Sequence, residues 1–328
     1  MKFEHTKSLT KMKAFQNLLV LPLALIILFT QCKEEPEIEF VDIHDDAFLN
    51  ALIEKRIDSN GDSLISHVEA ESVLVLDVSG CGISDISGIE LFVNLVRLRC
   101  SDNFLTRLNV IENLLLKELN CNSNQLTSLD VSKNIELESL RCFNNKISSL
   151  DVTMNIKLKS LGCSFNNLIS LDVSACNALT ELLCNYNQIT TLDVSANAAL
   201  DLFNCGSNLL TSLNISNNTA LTWLSCNFNQ LISLDVSNNP ELYHLYCEDN
   251  LFTSLDVSTN TAIVGLNCSF NQLSSLDISN NLQLHYLHLE GMPSLYEVCV
   301  WTMPFPNWSI TVYADGSPNV YFTTECSK

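Results

Sequence analysis

Between residues 58 and 69 the chain sets oxygen-bearing side chains at a spacing suited to a hard cation. Asp58, Asn60, Asp62, Ser66 and Glu69 fall at positions 1, 3, 5, 9 and 12 of this stretch, and Leu64 at position 7 offers its backbone carbonyl. Such a cation needs about six to eight oxygens, and one short loop with this spacing supplies them. Fourteen cysteines raise a second possibility, thiol or metal chemistry. Nine of them form a series, Cys100, Cys121, Cys142, Cys163, Cys184, Cys205, Cys226, Cys247 and Cys268, with 21 residues between neighbours. That spacing is not CxxC, so it builds no local zinc knuckle. A free thiol otherwise behaves as a small buried hydrophobe, which is the reading adopted for the series. The six histidines fall into no HExxH pattern, and no phosphate loop, dinucleotide motif or Ser-His-Asp constellation accompanies them. Aspartates recur identically along the chain, which is structural behaviour. The expectation is a protein that is not an enzyme.

The oxygen-rich loop needs an element on each side. Residues 46–57 carry Phe48, Leu49, Leu52, Ile53 and Ile57, one helical stripe that enters the loop. Loop and flanks together resemble an EF-hand over all twelve positions, which implies a Ca2+ ligand set of Asp58, Asn60, Asp62, Leu64, Ser66 and Glu69, with Ile65 packing inward. Ser63 stands where that family has Gly. Three carboxylates and no paired second loop imply weak binding, on the order of 0.1–1 mM. A structural cap is the expected role.

The body of the chain is a repeat. Leu108, Leu129, Leu150 and onward to Leu276 recur every 21 residues, in step with the cysteine series and with Asn103, Asn124, Asn145 and onward to Asn271. The unit reads LxxLxCxxNxLxxLDVSxNxx over residues 76–291. It resembles the leucine-rich repeats, with Cys at one strand position usually held by Leu. The resemblance implies a β-rich right-handed solenoid with parallel strands on its concave face. Strands stacked about 4.8 Å apart turn each series into a ladder. The Asn ladder then satisfies turn backbone groups, and the Asp and Ser of LDVS cap the bend. So short a unit leaves little room for convex helices. Solenoids need end caps. Residues 46–75 and the aromatic tail 292–328 fit those roles, and Cys299 with Cys326 in the tail is a candidate disulfide.

Positions beside the inward Leu and Cys face out. Early in the array they are Arg97, Arg99, Glu118, Asn120, Ser139 and Arg141; later they are Trp223, His244, Tyr246, Tyr286 and His288. A second line holds Phe165, Tyr186, Phe228 and Phe270. Exposed aromatics on one face mark recognition. Trp223, His244, Tyr246, Tyr286, His288, Phe228 and Phe270 are therefore the candidate ligand-binding residues. The macromolecular ligand expected there is a protein, with a glycan as the alternative.

Charge and targeting bound the partners. The chain has 17 Lys and Arg against 37 Asp and Glu, a net of −20, which argues against nucleic acid. Lys11 and Lys13, an apolar run from Leu18 to Phe29, and a switch to polar residues read as a secretory signal over residues 1–31. Leu28-Phe29-Thr30-Gln31-Cys32 resembles a bacterial lipoprotein box, and Lys33-Glu34-Glu35 resembles the surface-export tag of lipoproteins from the Bacteroides–Flavobacterium group. These resemblances imply lipid on Cys32, membrane contact through that anchor only, a linker over 32–45, and a place on the outer membrane facing out.

Overall fold

The computed structural model describes residues 38–306 and 309–326. Two helices open this region, α1 (Asp46–Glu54) and α2 (His67–Glu71). Fifteen three-residue strands follow: β1 (Val75–Asp77), β2 (Arg97–Arg99), β3 (Glu118–Asn120), β4 (Ser139–Arg141), β5 (Ser160–Gly162), β6 (Glu181–Leu183), β7 (Leu202–Asn204), β8 (Trp223–Ser225), β9 (His244–Tyr246), β10 (Gly265–Asn267), β11 (Ser275–Asp277), β12 (Tyr286–His288), β13 (Glu297–Cys299), β14 (Thr311–Tyr313) and β15 (Tyr321–Thr323). All but β11, β13 and β15 form one twelve-stranded sheet in chain order, and those three form a second sheet at the C-terminal end. Every pairing is parallel. This is a leucine-rich-repeat solenoid, each coil contributing one strand to the long sheet.

The strands are short because only their central residue must point inward. Leu119, Leu140, Leu161 and their equivalents are buried between two outward neighbours. The Cys, second Leu and Val of each repeat complete the core. Connections on the far side are turns and bends, apart from a 3-10 turn at Ile89–Leu91 in the first coil and the short second sheet of β11, β13 and β15 at the C-terminal end.

Two polar ladders run through this apolar stack. In the first, Asn124 Nδ2 donates to the carbonyls of Cys100, Cys121 and Asn122 at 3.0–3.1 Å, while its Oδ1 accepts from Leu105 N at 3.0 Å. The same set recurs at Asn166 and Asn208. The second ladder, Asn113, Asn134, Asn155, Asn197, Asn218, Asn239, Asn260 and Asn281, is fully buried. Asn134 Nδ2, for example, donates to Val110 O (2.8 Å) and Asn113 O (2.9 Å) of the preceding coil. Cys176 occupies this ladder's missing position, with Sγ 3.5 Å from Val152 O and 3.7 Å from Asn155 O. That accounts for a cysteine outside the 21-residue series. Between the ladders each Asp of LDVS accepts from the N–H two residues on, as Asp130 does from Ser132 at 2.9 Å, and Asn214 does the same for Ser216.

Both ends differ from the sequence-based boundaries. The stretch read as a linker is already structured from residue 38: Phe40 bridges Ser66, Val41 N donates to Ile65 O at 2.8 Å, and the Val41 side chain is buried. A paired backbone and a buried side chain make these residues part of the cap. Asp45 caps α1 through Phe48 N at 2.9 Å and accepts from Ser84 N, Ser84 Oγ and Asp85 N, fastening the helix to the first coil. At the other end the sequence register is lost at Gly291, yet stacking continues. Strand β12 pairs with β14, and β13 with β15. Cys299 and Cys326 form a disulfide across this last coil, Cα atoms 5.5 Å apart.

Candidate functional site

The parallel register decides which outward side chains meet. Along the first strand position run Trp223, His244, Gly265 and Tyr286; along the third run Ser225, Tyr246, Asn267, His288 and Tyr313. Three predicted residues come together. The Trp223 and Tyr246 rings lie 5.6 Å apart, and His244 stacks on Tyr246 at 5.7 Å and 15°. Tyr243 closes the edge of His244 at 4.8 Å. Gly265 makes this packing possible, because a methyl group there would collide with the His244 ring. Burial pushes the His244 imidazole pKa down, favouring its neutral form. Tyr286 lies two coils from His244 and makes no ring contact among the described residues. His288 stacks instead on Tyr313, at 4.3 Å and 16°, a partner the sequence reading missed.

Carboxylates border these rings. Glu248 Oε1 accepts from Asn227 Nδ2 at 2.7 Å, its Oε2 has no donor, and burial pushes its pKa up. Glu290 accepts from Ser269 Oγ at 2.8 Å and lies 3.1 Å from His288 Nδ1. Neither acid was among the predicted site residues. The available signal was charge segregation: residues 160–327 contain fourteen Asp and Glu and not one Lys or Arg.

Phe228 and Phe270 sit apart from this cluster, on the line that also holds Phe165 and Tyr186. All four are about half exposed, with φ between 50° and 55°. A left-handed backbone costs a non-glycine residue about 1–2 kcal/mol. Equivalent coils use Asp102, Asn144, Asp249 or Gly291 at this corner, types better suited to it. Aromatics are therefore not what the turn itself requires. Phe165 stacks on Tyr186 at 4.2 Å.

In the oxygen-rich loop, Glu69 Oε1 accepts from Ser59 N and Oγ, and its Oε2 from Ser66 N and Oγ, all at 2.7–2.9 Å. Burial would raise this carboxyl, but these four bonds outweigh it and hold the pKa at about 2. Asp58 accepts from Gly61 N and Ser63 N, Asn60 from Asp62 N, and Asp62 from Leu64 N. Ser63 takes the left-handed conformation, φ 66°, at the position where Gly is usual. Ser66, Glu69 and Ile65 are buried, while Leu64 is exposed. Three carboxylates, an amide, a hydroxyl and a carbonyl make an all-oxygen donor set that fits a hard cation. Among the described residues no three His, Cys, Asp or Glu side chains converge as ligands would.

The nine ladder cysteines are fully buried free thiols. Burial raises their pKa values, to about 12 at Cys184, so they carry no thiolate near neutrality. Cys32, the predicted lipid site, lies outside the described residues.

No protein-family model and no curated protein matches the chain. Among solved structures, the functional domain of InlJ from Listeria monocytogenes, described as including a cysteine ladder, is similar at 32% identity and a TM-score of 0.77. The match covers 84% of this chain and 63% of that one, so the chain spans less than two thirds of the neighbour's length. The leucine-rich-repeat ectodomain of the Arabidopsis thaliana receptor kinase GASSHO1/SCHENGEN3, solved with CASPARIAN STRIP INTEGRITY FACTOR 2, matches at 22% identity and a TM-score of 0.64, over 72% of this chain and 31% of that one. The leucine-rich-repeat protein LIC12759 of Leptospira interrogans matches at 20% and 0.55, over 73% and 70%. These neighbours place the fold among the leucine-rich-repeat solenoids.

Proposed function

We propose that this protein is a non-enzymatic binding module, held at the outer membrane of a bacterium through a lipid on Cys32, whose open sheet face binds or adheres to another protein. The supporting observation is the cluster of Trp223, His244 and Tyr246 on that face, continued by Tyr286, His288 and Tyr313. Large rings of this kind carry much of the energy in protein interfaces. Phe228 and Phe270 extend the contact along the neighbouring rim. Calcium in the Asp58–Glu69 loop has a structural role in this reading, stiffening the N-terminal cap. Millimolar Ca2+ should raise the melting temperature of the wild type but not of Glu69→Gln.

The interaction is tested with a photo-crosslinking amino acid at position 246, compared with one at position 156, on an exposed turn more than four coils earlier. The expected outcome is a protein adduct from position 246 only, abolished by Trp223→Ala. Adducts from both positions, or none from 246, would overturn the reading. Retention of an oligosaccharide by the wild type but not by Trp223→Ala would make glycan the ligand.

A further inference from the structure

The two ends of the open sheet face treat their carboxylates differently. Near the N-terminal end each acid on the face has a basic neighbour: Glu118 pairs with Arg97 and lies 3.9 Å from Arg99, and Arg141 reaches Glu181 at 4.0 Å. From β8 onward Glu248 and Glu290 have no Lys or Arg neighbour, and the one basic group beside Glu290 is His288. Glu248 has a single amide donor, and Glu290 has a serine, its own backbone's neighbour network and a histidine. No Lys or Arg exists between residues 160 and 327 to answer them. The same stretch of face carries aromatic rings, Tyr286 and Tyr313 exposed and Trp223 and Tyr246 half-buried, whose electron-rich faces attract cations.

We propose that the sheet face from β8 to β14 takes an extended, cation-bearing segment of a partner protein, its Arg or Lys side chains seated among Trp223, Tyr246, Tyr286 and Tyr313 beside Glu248 and Glu290. This rests on the reading above that the face binds protein, and adds the chemistry of what it binds. Carboxylates bordering a ring cluster supply charge, and the rings supply desolvated contact with the alkyl and guanidinium parts of the incoming side chain. Glu248 and Glu290 stand two coils apart, roughly 10 Å at the strand spacing, about the length of three extended residues. A partner with acidic side chains would meet unanswered like charge along the whole C-terminal half.

The test uses the full chain and three fluorescein-labelled decapeptides, alternating Gly-Arg, Gly-Glu and Gly-Ser, read by fluorescence anisotropy at low and high salt. Only the Gly-Arg peptide should bind, and more weakly as salt rises. Tyr246→Ala combined with Glu290→Gln should weaken it at least tenfold, and Tyr246→Phe with Glu290 intact should restore it. Asp235→Asn with Asp256→Asn, half a coil away on the same repeats, should leave binding within twofold. Their carboxylates only cap bends, a task Asn214 already performs elsewhere. Equal weakening by this second pair would reduce the effect to overall charge and end the proposal. So would binding of the acidic or neutral peptide, or of none. A protein cross-linked at position 246 by a chain that refuses the Gly-Arg peptide would leave the interaction reading standing and defeat this one alone.

Discussion

The coils up to Lys159 and those after it share one interior and present different exteriors. Between residues 38 and 159, eleven Lys and Arg stand among nineteen Asp and Glu. Stacking sets them in alternating series: Lys157 on Glu136, and Lys117, Glu138 and Lys159 in succession. After Lys159 the outward face turns to rings bordered by Glu248 and Glu290, in a stretch without Lys or Arg. Inside, the Leu, Cys and two Asn ladders continue across the boundary, with Cys176 in place of one Asn and Phe203 in place of one Leu. A ladder constrains inward residues because each must fit its copies above and below. Outward residues need only tolerate theirs, so they diversify by region, one rich in Lys–Glu and Arg–Glu pairs and the other without Lys or Arg.

A charge forced into the common interior should have the largest effect. Cys184 lies in the second coil past the boundary, stacked between the coils of Cys163 and Cys205. Cys184→Asp should cost more than about 4 kcal/mol and abolish cooperative unfolding in urea, since nothing buried there can pair with it. Cys184→Ala should cost about 1–2 kcal/mol, as a small cavity does. In native protein the wild-type thiol should resist a thiol reagent and react once unfolded. Rapid native labelling would mean that the two halves do not share a closed core.

Acid should separate the two ends next. Asp45 is raised by burial but held down, to about 2, by hydrogen bonds from Ser84, Phe48 and Asp85. Glu69 also stands at about 2. Unfolded carboxyls titrate near 4, so the folded values are depressed. The stability these groups contribute is present above pH 4 and is lost as pH falls toward 2. Amide exchange should show the segment from 38 to 72 opening in that window before the disulfide-closed C-terminal coil does. Asp45→Ala should remove about 1–2 kcal/mol at neutral pH, the worth of an N-cap, and flatten that acid response. An unaltered pH profile in this variant would remove Asp45 as the fastening.

The smallest effect belongs to the surface pairs of the first half. A double-mutant cycle on Lys159 and Glu138 should give a coupling below about 1 kcal/mol that shrinks with salt. A larger, salt-insensitive value would mean that the ion-pair ladder holds the coils together, and the division between inner support and outer display would need redrawing.

Much of this was legible from periodicity. Three series in step with one another place Leu, Cys and Asn inward and stack the strands in parallel, because residues at equal offsets must meet when coils of equal length pile up. The outward positions of Trp223, His244 and Tyr246 follow from the same register. The absence of basic residues beyond Lys159 was equally readable as composition, but its meaning depends on which acids share a face with the rings.

What periodicity could not supply lies where equal offsets stop being the rule. The Trp223–Tyr246 contact runs diagonally across two coils, and side-chain size decides it, with Gly265 leaving room for His244 to lie flat. Cys176 belongs to the second Asn ladder rather than to the cysteine series, which only its position against Val152 and Asn155 reveals. His288 meets Tyr313 across a coil lengthened to 25 residues, so no 21-residue extrapolation reaches that pair. Equal spacing dictates contacts only while the backbone repeats; at the last coil the path of the chain itself chooses the neighbours.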